Sequence, residues 1–158
     1  MEYPRRDVLD MKIKNLYYLI AGILAVLFAI THAWNGQSAV LPILHASEIP
    51  LDSEIIFTYV WHIITAENLV FGIAFICMAF QGERSKIRAV AWMIVSLLIV
   101  RLMVILGITA VQDVSALTDT VVDSVAIVIY VIFILLGIRM KPKGLKDSTL
   151  MTSKRSRP

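Results

Sequence analysis

IIFTYVWHIITAENLVFGIAFICMAF, residues 55–80, decides the fold of this chain. Its 26 residues exceed the roughly 20 that an α-helix needs to cross about 30 Å of hydrocarbon. The stretch also carries Trp61-His62 and Glu67-Asn68. Lipid tolerates such groups only where protein or water covers them, so the helix must have neighbours, and its polar residues mark where they meet.

Working outward, three more apolar blocks appear, at 16–34, 88–111 and 120–138, beside the one at 56–80. The chain of 158 residues is 58% hydrophobic and 17% charged, and nearly all of the charge lies between the blocks. A soluble protein with four such helices would have almost no chain left for a polar shell. Runs such as AIVIYVIFILLGI do not alternate, which excludes transmembrane strands. The expected fold is all-α, an integral membrane four-helix bundle forming one domain over residues 1–140. The first apolar run is longer than a signal-peptide core, and Thr31-His32-Ala33-Trp34 is a poor cleavage site, so an uncleaved first helix is expected.

Charge sets the topology. Fourteen of the fifteen Lys and Arg residues fall in the N-terminal segment, the second connection and the C-terminal tail. The connections at 35–54 and 112–119 contain none. This positive-inside pattern places both termini in the cytoplasm and the 35–54 connection outside, in a plasma or inner membrane crossed several times. The basic balance is then accounted for by orientation and by anionic headgroups, so the lipid bilayer is the expected partner and nucleic acid is not. The tail, 141–158, lacks apolar periodicity and reads as a disordered cytoplasmic end. The 35–54 connection holds apolar pairs around Pro42 and Pro50, with Asp52 or Ser53 as the expected cap of the following helix.

Cys77 is the only cysteine, which excludes an internal disulfide and any cysteine-based metal cluster. No phosphate-binding loop, dinucleotide fingerprint, metalloprotease or nucleophile-elbow motif occurs, so no catalytic residue is assigned. The chemistry must lie in polar residues within the spans. Glu67 lies about 16 Å below the outer end of its helix and Arg101 about 15 Å below that of the next, at 1.5 Å per residue. Opposite charges at one level, on helices expected to be antiparallel neighbours, invite pairing. His62 and His32 lie nearer the outer surface. Asp119, Asp123 and Tyr130 form a polar stripe on the fourth helix, with Asp119 its expected N-cap and Asp123 a rival partner for Arg101.

His-Ala-Trp-Asn-Gly at the end of the first helix and Trp-His-Ile-Ile-Thr in the second resemble segments of small, uncharacterised four-helix bacterial membrane proteins. The resemblance implies the same four-span fold and names no catalytic residue.

The candidate site is therefore His32, His62, Glu67, Arg101, Asp123 and Tyr130. The leading reading is binding or transport of a small ligand or ion, or an accessory role beside other membrane subunits or further copies of the chain. The second is a redox protein holding haem b or quinone, with His32 and His62 as axial ligands in the haem case. The third is a structural scaffold of a larger membrane complex.

Overall fold

Asn15 starts the first helix: its side-chain oxygen accepts the Tyr18 N–H at 3.2 Å, satisfying a donor that the first turn leaves free. The computed structural model describes residues 12–82 and 84–140. Over these the elements are α1 (Leu16–Asn35), a π turn (Gly36–Val40), α2 (Leu41–Ala46), α3 (Leu51–Phe80), α4 (Arg84–Gln112), a 3-10 stretch (Val114–Thr120) and α5 (Val121–Arg139). No strand occurs among the described residues. Four helical stretches are long and apolar enough to cross a membrane: Leu16–Ala46, Leu51–Phe80, Ser85–Gln112 and Val114–Arg139. The disorder expected for 141–158 concerns residues outside those described.

The first connection is more helical than its prolines suggest. α1 does not stop at Trp34, because Gly36 keeps helical dihedrals (φ −57°, ψ −53°). The ladder widens into the π turn just ahead of Pro42, which has no N–H and whose ring crowds the carbonyl four residues back. Helix then resumes to Ala46. Pro50, extended at φ −56° and ψ 139°, accepts the N–H groups of Ser53 and Glu54 through its carbonyl, so α3 begins at Leu51. Asp52 and Ser53 thus lie inside the first turn and neither is the cap; Asp52 and Glu54 face the positive end of the helix dipole instead. His45 of α2 pairs with Glu54, closing the hairpin between α2 and α3.

The fourth span starts differently from the expectation as well. Asp113, not Asp119, is the capping carboxylate: its Oδ1 accepts from Ser115 N at 2.8 Å and Ser115 Oγ at 2.7 Å. Asp119 sits exposed within the 3-10 stretch, and the N-cap of α5 is Thr120, which makes no side-chain cap bond.

Small residues set the packing. α1 runs along α3 as its main partner, α5 packs on α1, and α4 on α5. At the crossing of α1 and α3 the backbones nearly touch: a Cβ added at Gly22 would lie 2.8 Å from Ile76 N and 2.9 Å from Gly72 O. Hydrocarbon gives no hydrophobic drive between helices, so such close small-residue approach supplies the association through dispersion. The principal neighbour of α3 is therefore α1 rather than α4, which α3 meets chiefly through long side chains.

The bundle is closed at one end and open at the other. At the terminal end, where the described chain begins and ends, Lys14 N and Asn15 N both donate to Ala79 O, and Asn15 Nδ2 donates to Gly137 O at 2.9 Å. Tyr18, Phe75, Ile94, Val95, Leu98 and Ile134 pack beside them, and Tyr130 bounds this packed half on its loop side, each 2% exposed or less. Toward the loop end burial thins out. No described residue of α3 before Phe71, of α4 beyond Leu98 or of α5 before Tyr130 is buried. The outward faces are apolar, with Val111 at 88% and Val122 at 78% exposure. Surfaces of that kind face lipid or another protein rather than water.

Candidate functional site

The core seam of α4 steps by three and four residues, Ile87, Ala91, Ile94 and Leu98, and its next member is Arg101. A guanidinium therefore occupies a core position just where close packing ends. Its Nη2 is ion-paired with Glu67 Oε2, and its Nη1 donates to Asn68 Oδ1 at 2.9 Å. Two consecutive residues of α3 thus receive the two arms of one fork. An unpaired charge at the bilayer centre costs about 2.5–3.5 kcal/mol on insertion scales, which the carboxylate and amide offset. Arg101 retains 19% and Glu67 35% of side-chain exposure, so the pair is only partly covered.

The seam of α1 behaves in the same way. Tyr18, Ala21, Ala25 and Ala29 are buried, and the next step is His32. Trp61 lies flat on its imidazole, with ring centroids 4.2 Å apart and planes 6° from parallel. Trp61 Nε1 also donates to His32 O at 3.0 Å. The indole covers Gly36, where any side chain would collide with it. His32, Gly36 and Trp61 thus form one joint between α1 and α3. His62 points elsewhere: it is exposed, and its Nε2 accepts from Gln37 Nε2 at 3.2 Å.

Tyr130 is 2% exposed and stands edge-on to Phe28 and Phe75, with centroids 5.9 and 6.1 Å away. Phe28 lies one turn of α1 from His32. Asp123 is exposed and joins no described ion pair, so Arg101 is held by Glu67 and not by Asp123. The proposed polar stripe of α5 therefore divides, with Asp119 and Asp123 at the surface and Tyr130 inside. Arg101, Asp123 and His62 all lie within electrostatic reach of His32, and Arg101 within that of Tyr130.

Three enclosed polar atoms around this region have no hydrogen-bond partner among the described residues: His32 Nε2, Ser124 Oγ and Tyr130 Oη. Each such orphan costs about 1–3 kcal/mol. The sequence pointed to His32 and Tyr130 but not to Ser124, whose burial no pattern announces. It also missed Trp61, Gly36 and Gln37 as fixing residues, although the Gly36 and Trp61 motifs were visible.

The two histidines are engaged separately. His62 follows Trp61 by one residue, so its side chain is turned about 100° around α3 from the indole on which His32 stacks. Its Nε2 is also engaged by Gln37. No group of three or more His, Cys, Asp or Glu residues suited to a metal ion occurs among the described residues. Comparison of the chain with protein-family models, with curated proteins and with solved structures gives no match in any of the three.

Proposed function

We propose that the chain is a multi-pass protein of the plasma or inner membrane that binds a small polar solute, and carries it or presents it to a partner subunit. The site is the half-open cluster of His32, Arg101, Ser124 and Tyr130, with Glu67 and Asn68 holding the guanidinium in place. The observation that carries this reading is the set of unpartnered buried atoms, His32 Nε2, Ser124 Oγ and Tyr130 Oη. A scaffold gains nothing from them, whereas a ligand with donors and acceptors satisfies them. Because Glu67 neutralises Arg101, the complementary solute is net-neutral rather than a bare ion.

The cluster lies on the loop side of the packed half, where burial thins out, and in this reading the solute enters from that side. With Lys12, Lys14, Lys86, Arg88 and Arg139 all at the terminal end, the positive-inside rule places the termini in the cytoplasm and the entrance on the outer side.

The test is stopped-flow swelling of proteoliposomes in urea and in glycerol, two small neutral polar probes. Swelling faster than that of protein-free vesicles, and lost in His32→Leu and Tyr130→Phe, is the expected result. Rates equal to those of empty vesicles with both probes would remove the transport form of the proposal. Unchanged tryptophan fluorescence on adding either probe to a Trp34→Phe, Trp92→Phe protein, in which Trp61 is the remaining indole, would count against binding of these solutes.

A further inference from the structure

At the terminal end, far from the cluster just described, the ends of α1, α3, α4 and α5 surround a cavity of about 380 Å3. Three cationic side chains line it, those of Lys12, Lys14 and Arg88, and no carboxylate does so among the described residues. Its floor is apolar and buried, with Tyr18 at 2%, Ile87 at 6% and Ile138 at 8% exposure. The backbone beneath the cations is fixed. Lys14 N donates to Ala79 O at 2.9 Å, and Asn15, the next residue, ties α1 to Gly137 O. Lys14 Nζ leans over the turn between α3 and α4, 3.3 Å from where a Cβ on Gly82 would stand.

Helix dipoles do not account for this charge. Two N-termini and two C-termini meet at this end, each equivalent to about half an elementary charge, and their contributions cancel. Three like charges around one hollow repel one another, which an anion relieves. A cationic rim above an apolar floor matches a group that is anionic at its head and apolar beneath. The volume suits a phosphate with its glycerol, not a whole lipid.

We propose that this cavity binds a phosphate group, that of an anionic phospholipid headgroup or free phosphate, through Lys12, Lys14 and Arg88. This site is independent of the cluster at the loop end. Lys14, whose backbone N–H is tied to Ala79 O of α3, contributes most.

Native mass spectrometry of the full-length protein, incubated with phosphatidylglycerol or with phosphatidylcholine, tests it. A thermal-shift titration with inorganic phosphate runs in parallel. Preferential retention of phosphatidylglycerol identifies the lipid as the source of the phosphate; a thermal shift with inorganic phosphate alone identifies free phosphate. In either case Lys14→Gln should weaken binding about tenfold, the loss of one hydrogen bond to a charged group. Arg139→Gln, which removes the same charge from an exposed position outside the cavity, should leave binding unchanged. Equal retention of the two lipids with no phosphate shift, or equal effects of the two substitutions, would overturn the proposal.

Discussion

Trp61 covers His32 ring on ring and donates to the same residue's carbonyl at 3.0 Å, so one side chain of α3 fixes both the backbone and the imidazole of α1. The joint needs Gly36 beside it. Trp61→Phe keeps an aromatic face but removes the donor. Chemical or thermal unfolding of the purified protein should show a loss of about 1 kcal/mol, the net value of one hydrogen bond. Gly36→Val should cost more, because its side chain would push the indole off both the ring and the carbonyl of His32; equal stability of the two variants would show that Gly36 is not pressed by Trp61.

The crossing of α1 and α3 makes a second prediction. Gly22→Val and Gly72→Val each place side-chain atoms against backbone of the facing helix, and overpacking of this kind costs about 1–3 kcal/mol. A Cβ at Gly107 meets nothing within 4 Å, so Gly107→Ala should be neutral or stabilise by up to about 1 kcal/mol through helix propensity. Melting temperatures in detergent distinguish the three, and a Gly107→Ala protein as damaged as Gly22→Val would refute the packing described.

These two joints show what was legible in the sequence. Four spans could be read because apolar length is a one-dimensional signal. The pairing of Glu67 with Arg101 could be read because depth follows from residue count. The helix that α3 lies against could not, since Gly22 and Gly72 look like any small residues until two backbones meet. The helical path of the connection at 35–54 could not be read, since Pro42 and Pro50 are breakers by rule, whereas a π turn absorbs the first and the second merely starts α3. Asp119 lost the capping role to Asp113 because a 3-10 stretch inserted itself before α5, which apolar periodicity does not reveal.

The pair of Glu67 and Arg101 invites a double-mutant cycle. Glu67→Gln or Arg101→Leu leaves a charge uncompensated, and breaking such pairs typically costs about 3–5 kcal/mol when they are buried, less here because both remain partly exposed. The double variant should recover much of the loss. Arg101→Leu combined with Asp123→Asn should be additive, since among the described residues Arg101 is paired with Glu67 and Asn68 and forms no ion pair with Asp123. Strong coupling in the second cycle and none in the first would reverse the assignment of partners.

Asp113 gives a pH dependence. Hydrogen bonds from the Ser115 hydroxyl and N–H hold its carboxyl below the usual 3.8. The folded value is depressed, so the stabilisation is full above pH 3.8 and is lost as pH falls from there through the folded value. Hydrogen exchange of the Ser115 and Ala116 amides should rise in that acid window relative to amides in mid-α4. Asp113→Ala should abolish the pH dependence; its persistence in that variant would assign it to another carboxylate.

Whether polar solutes reach the buried atoms of the cluster is the central question. In a Cys77→Ala background, Ser124→Cys, Tyr130→Cys and Ile134→Cys place thiols at successive depths along α5. The rate of modification by a small water-soluble thiosulfonate, added to the protein in membranes, reports access directly. Ser124→Cys and Tyr130→Cys should react, and Ile134→Cys, at 0% exposure in the closed half, should not. If Ser124→Cys and Tyr130→Cys are as inert as Ile134→Cys in folded protein, the cluster is sealed packing and the binding site proposed here does not exist.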